Sequence, residues 1–394
     1  MRKLCFAFPL ILLPIIAIAM MGTVNPGSPV VTVGVTSSGD YAVSTHRDGT
    51  LTIWDLQTGD SKTQADNANI YSAFVSDDDA FFMWQDFHGE VFIQNFDGEL
   101  LEQFKGFHAY GHVITKGRDI YLAVDENWNV FRREHDKVEA VKRDGNSPGF
   151  RGIGKLLNLA IHEETCLLLT AGDGTDREEM STPVKNPPPV FSNYAGVVLW
   201  NFCENEPKYK LPGNAAKTYA TLSPDGTHVV SVDENGLSFV WRTDSGELAY
   251  RVSRIGTGVF VGGHEMGSPK NRDTSGMRLH YPDDFPEGFY GHSMVAVQFI
   301  SETEYLVFHT RQPFAVLYEL GDPFAHAILP LGDDPFPSVS SYARNASIAT
   351  APEANLLVTG QRDGGGINVY RYDPDTRTLE LDWAWEKPSR WWRP

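Results

Sequence analysis

The sequence predicts an all-β fold, a seven-bladed β-propeller, with six or eight blades as the alternative counts. Three observations carry this expectation. Turn glycines recur 40 residues apart, at Gly49 and Gly89 and again at Gly196 and Gly236. The stretch from Asp40 to Asp55 matches that from Thr227 to Arg242 in pattern: an apolar strand, an Asp-Gly or Asn-Gly turn, then a strand ending on Trp. The tetrapeptide Val-Asp-Glu-Asn occurs at the same phase as Val124 to Asn127 and as Val232 to Asn235. A repeat of this length, built of strands and tight turns, is the mark of four-stranded propeller blades.

Composition agrees with a turn-rich all-β chain. The 394 residues include 36 Gly and 24 Pro, and aromatics reach 12%. The formal net charge is −18. Nucleic acids are gripped through Lys and Arg on phosphate, so this acidic excess argues against a nucleic-acid partner and suits a soluble surface.

The chain opens with a basic Met1-Arg2-Lys3 and an apolar run from Leu4 to Met21, interrupted by Pro9 and Pro14. Ala17-Ile18-Ala19 supplies the small-x-small pattern of a signal-peptidase site, which makes residues 1–19 a signal peptide. The rival is an uncleaved anchor reaching to about residue 22, since the run is close to the length that spans a bilayer. Either way the rest of the chain is expected outside the cytoplasm, periplasmic or secreted, with peripheral or anchored membrane association through the N-terminus in the second case. Residues 20–29 read as a linker and 30–386 as the propeller.

Blade one is expected to begin at Val30 and turn at Ser37-Ser38-Gly39, and blade two to run from Ile70 to Phe104. Blade three covers about His112 to Val141, blade four Leu156 to Leu211, and blade five Ala216 to Val252. Blade six starts at Gly291-His292 and ends near Leu331, and blade seven spans Ser341 to Trp385. Alternating strands bury one face of each blade against its neighbour, and the Gly, Asn and Asp turns supply the positive φ values that hairpins need. Closing the ring protects the sheet edges.

Over roughly Val30 to Glu386 these units resemble WD40 and related YVTN-type propeller repeats. The likeness rests on Trp54-Asp55 ending a third strand, Asp48 in the turn before it, Gly291-His292 at the start of a blade, and Ser223-Pro224-Asp225-Gly226. The Trp-Asp pair is not repeated: the same position reads Gln94-Asn95, Trp200-Asn201, Trp241-Arg242, Tyr318-Glu319 and Tyr370-Arg371. The usual closure, in which the N-terminus completes the last blade, is not evident either, because the chain starts directly on an inner strand.

Within this frame Trp54, Trp200 and Trp241 are expected to pack between blades. Asp48, Asp125, Asp233 and Asp363 are expected to bind turn amides before third strands, with Asp55 as part of the Trp-Asp pair. Cys166 and Cys203, the two cysteines left after leader removal, are candidates for a disulfide within blade four. Pairing Ala171 with Gly196 would put Cys203 two residues out of register. The acidic Asp77-Asp78-Asp79, Asp283-Asp284 and Asp333-Asp334 follow no EF-hand or RTX spacing and read as solvated turns. His264, His280 and His292 lack the paired spacing of a zinc site, so neither metal nor cofactor is expected.

Function is expected in two insertions, 172–195 between the second and third strands of blade four and 253–290 between blades five and six. Long irregular loops on a rigid scaffold are where binding concentrates. The candidate binding residues are His264, His280, Tyr281, Asp283, Asp284 and Tyr290, joined by Trp391 and Trp392 in the Trp/Arg-rich tail 387–394, a residue combination common in binding hot spots. The chain reads as an exported scaffold that binds protein partners, a monomer within a complex. The alternative is a propeller enzyme of dehydrogenase or lactonase type with a small ligand at the central channel.

Overall fold

The computed structural model describes residues 28–385, except 66–67, 107–110, 125–129, 135–136, 141–155, 173–195, 205, 212–217, 234–237, 253–259, 262–263, 266–293, 310–313, 332–346 and 362–364. Seven four-stranded antiparallel sheets follow one another along the chain, each with its strands in sequence order. These are the seven blades of a propeller. Among the described residues the only helical element is a single 3-10 turn, Pro352–Ala354, and no helix is long and apolar enough to cross a membrane.

Blade one comprises Val30–Val35, Tyr41–His46, Leu51–Asp55 and Ser61–Ala65. Blade two comprises Ala68–Val75, Phe82–Asp86, Glu90–Gln94 and Leu100–Lys105. Blade three is Gly111–Ile114, Ile120–Val124, Val130–Glu134 and Lys137–Ala140. Blade four is Leu156–His162, Leu167–Gly172, Val197–Asn201 and Glu206–Leu211. Blade five holds Thr218–Leu222, His228–Asp233, Ser238–Arg242 and Leu248–Arg251. Blade six holds Met294–Phe299, Glu304–His309, Phe314–Glu319 and Asp322–Pro330. Blade seven holds Ile348–Ala351, Leu356–Gly360, Ile367–Asp373 and Thr378–Ala384. The expected starts of blades five, six and seven, Ala216, Gly291 and Ser341, lie outside the described residues, while blade two starts two residues earlier than expected, at Ala68.

The core is divided among the blade interfaces. Val43, Ile53, Phe82 and Trp84 pack between blades one and two, and Leu122, Leu168, Val198 and Trp200 between three and four. The second and third strands are buried on both faces, which is why they read as near-continuous apolar runs such as Leu167–Gly172, whereas outer strands such as Leu100–Lys105 keep exposed polar residues.

A recurring backbone kink builds the turn between the inner and second strands. Gly39, Asp79, Arg118, Cys166, Gly226 and Asn355 all stand just before a second strand with φ between 52° and 74°. Glycine takes this left-handed conformation without steric cost. At Gly226 a side chain would also collide with the His162 ring, since a Cβ added there would lie 2.6 Å from it.

Ring closure, left open by the sequence, proceeds by side-chain packing between two complete blades. Val30, Trp54 and Leu56 of blade one form one apolar cluster with Leu356, Val358 and Val369 of blade seven. Trp54 meets Trp385 edge-on at 6.1 Å between ring centroids. The indole N–H of Trp383 donates to the Leu56 carbonyl at 3.2 Å, and the Val30 N–H donates to the Gln361 carbonyl at 3.3 Å. Among the described residues no strand is exchanged, and each terminal blade holds four strands of its own.

Candidate functional site

The propeller offers two faces and a central channel. Turns from inner to second strand and from third to outer strand lie on one face, here called the turn face. Turns from second to third strand and the connections between blades lie on the other. The second strand of blade four ends at Gly172 and its third begins at Val197, while blade five ends at Arg251 and blade six begins at Met294. Both insertions therefore leave from this second face, the insertion face. The first strand begins and the last strand ends there too, at Val30 and Ala384.

The turn face is closed by hydrogen bonds between successive blades. Asp79 of blade two accepts the N–H groups of Ser37 and Ser38 of blade one at 2.5 and 2.7 Å. Glu163 of blade four accepts the Lys116 N–H of blade three at 2.7 Å. His162 donates from Nε2 to the Pro224 carbonyl of blade five at 3.0 Å, while its Nδ1 accepts from the Thr165 hydroxyl at 2.8 Å. The Asp77-Asp78-Asp79 run thus serves turn geometry, with Asp78 accepting the Ala80 N–H at 3.2 Å. No group of three or more metal-ligating side chains converges among the described residues.

Cys166 and Cys203 form a disulfide on this same face, with Cα atoms 5.6 Å apart. The register differs from the expected one by a residue: Ala171 pairs with Val197 and Leu167 with Asn201. The Phe202 N–H then donates to the Cys166 carbonyl at 3.0 Å. Cys203 is left one step away rather than two, within the Cα range a disulfide requires.

The tryptophans marked in the sequence occupy a repeated structural position, whereas the described aspartates do not. Asp48 accepts the Thr50 N–H and hydroxyl at 3.1 and 2.8 Å. Asp55 accepts the Gln57 and Thr58 N–H groups, both at 2.9 Å. Asp233, expected in the turn before the third strand, is instead the last residue of the second strand His228–Asp233, fully buried and paired with Thr218 of the inner strand, because it stands at the place that His46 holds in blade one. Trp54, Trp200 and Trp241 are buried, and each indole N–H donates to a hydroxyl on the preceding strand: Ser44 at 2.8 Å, Thr170 at 3.0 Å and Ser231 at 3.1 Å. In blade one the chain of bonds extends further. Because the Ser28 carbonyl can only accept, His46 Nδ1 carries the proton facing it at 3.1 Å, and His46 Nε2 accepts from Ser44 at 3.0 Å. Burial holds the His46 pKa below its usual value, consistent with a neutral ring.

Blade two reverses the pair. Trp84 stands at the hydroxyl's position on the second strand and donates to Gln94 Oε1, at the tryptophan's position on the third, at 2.8 Å. The signal for these pairs in the sequence is their common spacing. Ser44 precedes Trp54 by ten residues and Ser231 precedes Trp241 by ten, as Trp84 precedes Gln94.

Of the expected binding residues, His264 lies on the two-residue strand His264–Glu265 and pairs there with Val261. His280, Tyr281, Asp283, Asp284, Tyr290, Trp391 and Trp392 lie outside the described residues, as do Asp125, His292 and Asp363.

The central channel is lined by the inner strands of all seven blades and encloses a cavity of about 230 Å³. Among the described residues its lining holds no Asp, Glu, Lys or Arg. Its polar members include His112, Asn158, Thr221, Gln298 and Thr350. Asn158 is fixed across the boundary of blades four and five: its amide donates to the Ala220 carbonyl and accepts the Ala220 N–H at 3.1 Å. His112 is only 3% exposed, neither ring nitrogen has a hydrogen-bond partner, and burial lowers its pKa to about 3. None of these channel residues stands out in the sequence, because inner-strand positions far apart in the chain meet only once the ring has closed.

No model of a known protein family matches this chain, and no curated protein matches it.

Proposed function

We propose that the chain is an exported propeller scaffold that assembles with a protein partner through its insertion face. The observation that carries this reading is the segregation of the connections. The turn face is closed by short turns bonded blade to blade, as at Asp79 and Ser37. The two long insertions leave from the opposite face. A rigid ring that gathers its long loops on one side is suited to presenting them together. Export is supported by the basic and apolar leader and by the Cys166–Cys203 bond, of a kind that persists in oxidising compartments. Closure by side-chain packing leaves the start of the first strand and the end of the last on the insertion face as well.

Site-specific photo-crosslinking in the producing cells tests the reading. A crosslinker at Phe87, 49% exposed on the insertion face of blade two, should trap a discrete partner from the extracytoplasmic fraction. The same group at Thr58 or Glu164 on the turn face should not. Trapping from the turn-face positions alone would reverse the assignment, and a cytoplasmic protein with reduced cysteines would remove the export.

A further inference from the structure

We propose that the Cys166–Cys203 bond is a thiol-exchange site, opened by neutral or cationic thiols, that controls the clasp joining blades three, four and five on the turn face. This site is distinct from the insertion face and does not depend on a partner there.

The first argument is access. Cys203 is exposed in the turn before the outer strand of blade four. Cys166 is half-buried and packs against the apolar cluster between blades three and four. Thiol exchange begins with a thiolate attacking whichever sulfur it can reach, which here is Sγ of Cys203. Asn201 anchors that half, its Oδ1 accepting the N–H groups of Cys203 and Glu204, both at 3.2 Å. With a dithiol reductant, the first thiolate bonds to Cys203, the Sγ–Sγ bond breaks, and Cys166 leaves with the electron pair and takes up a proton. The second thiolate of the reductant then displaces Cys203, which takes up the other proton, and the reductant departs as its own disulfide.

The second argument is what the bond holds. Cys166 sits at φ 56° and closes the turn from Glu163 by donating its N–H to the Glu163 carbonyl at 3.0 Å. Three blades meet at this turn. Glu163 accepts the Lys116 N–H of blade three, and Glu164 pairs with the Lys116 ammonium at 3.2 Å. His162 bonds the Pro224 carbonyl of blade five and the Thr165 hydroxyl within the turn. Asp79 and Arg118 make the same kink in blades two and three with no cross-link, so the fold accepts this turn without one. Opening the bond therefore leaves the blade folded and frees the turn that carries the clasp, a local rather than a global opening.

The third argument is charge. Glu163 and Glu164 precede Cys166 in its turn, and Glu204 follows Cys203. Their field repels an anionic thiol and attracts a cationic one, an effect that salt screens.

The test treats the full-length protein with dithiothreitol in native buffer, then alkylates free thiols and locates them by mass. Cys166 and Cys203 should both be labelled while the circular dichroism of the folded protein persists. Hydrogen exchange of residues 112–120 should then run about ten-fold faster than in the oxidised protein. Exchange of residues 33–41, where Asp79 clasps the Ser37 N–H, should not change. The Cys166→Ala, Cys203→Ala variant should exchange like the reduced protein, and if that variant does not fold, the reduced wild-type protein decides the question. At low salt and equal thiolate concentration, cysteamine should open the bond about ten-fold faster than mercaptopropionate. A bond that opens only in denaturant, exchange of 112–120 that is unchanged or matched at 33–41, or equal rates for the two monothiols would each overturn the proposal.

Discussion

Arg377, in the last turn of blade seven, places its Nε 2.9 Å from Oε1 of Glu304, a buried carboxylate at the start of the second strand of blade six. The same guanidinium donates to Glu319 at 2.7 Å and to Nδ1 of His326 at 2.6 Å. Tyr372 donates to the other Glu304 oxygen at 2.8 Å. One planar cation thus ties two blades together at three points.

Removing that cation should strand the Glu304 charge. Breaking a buried pair from one side costs about 3–5 kcal/mol, and partial exposure of Arg377 puts the expected loss for Arg377→Met nearer to about 2–3 kcal/mol. Arg377→Lys should recover only part of it, since an ammonium lacks the fork that reaches several acceptors. Glu304→Gln should cost less than Arg377→Met, because the guanidinium it leaves is partly exposed and still paired with Glu319. Urea unfolding of the three variants measures the order.

Arg118 adopts φ 60° in an exposed turn, at the position that glycine fills in blades one and five. The left-handed conformation costs a non-glycine residue about 1–2 kcal/mol, and glycine's greater freedom in the unfolded chain returns about 0.5–1 kcal/mol of that. Arg118→Gly should therefore stabilise the fold by up to about 1 kcal/mol, against the usual direction of such a change. Gly226→Ala should do the reverse and more strongly, since its side chain would press on His162. Thermal denaturation distinguishes the two signs.

The repeat was legible because strands, turn residues and their period are local. Gly39 and Asp79 stand 40 residues apart and make the same kink. The Trp54–Ser44 and Trp241–Ser231 pairs were legible in principle through their common spacing. Closure was not, because Trp383 meets Leu56 across 327 residues, and no periodicity within a blade states which blades will touch. The channel was hidden for the same reason. Asn158 and Ala220 look unremarkable in sequence, and their pairing follows from the geometry of the ring.

The disulfide closes a span of 37 residues. Constraint of the unfolded chain over such a span should stabilise the native state by about 3–4 kcal/mol in the chain-entropy view. The Cys166→Ala, Cys203→Ala double variant should lose that amount in urea unfolding. Reductant should weaken the wild-type protein similarly and leave the double variant unaffected.

His112 also makes a prediction about acid. Its folded pKa of about 3 lies below the usual histidine value near 6.5. As pH falls through 6.5 the unfolded chain takes up a proton that the folded one does not, so stability is full above 6.5 and declines down to about 3. The slope approaches about 1.4 kcal/mol per pH unit. Between pH of about 6.5 and about 4.5, His112→Phe should lose on the order of 2 kcal/mol less than wild type. Stability curves of equal slope would show that His112 is solvated in the folded protein.

The insertion face is tested most directly by shortening its loops. Replacing Gly174 to Asn193 by a two-residue Asn-Gly turn suits the hairpin of blade four, and trimming Thr257 to Phe289 shortens the link between blades five and six. Partner recovery from the producing cells, quantified by mass spectrometry alongside the melting temperature, is the measurement. The scaffold account predicts that the doubly shortened protein keeps its melting temperature and loses its partner. Full partner recovery by a doubly shortened, folded propeller would contradict it.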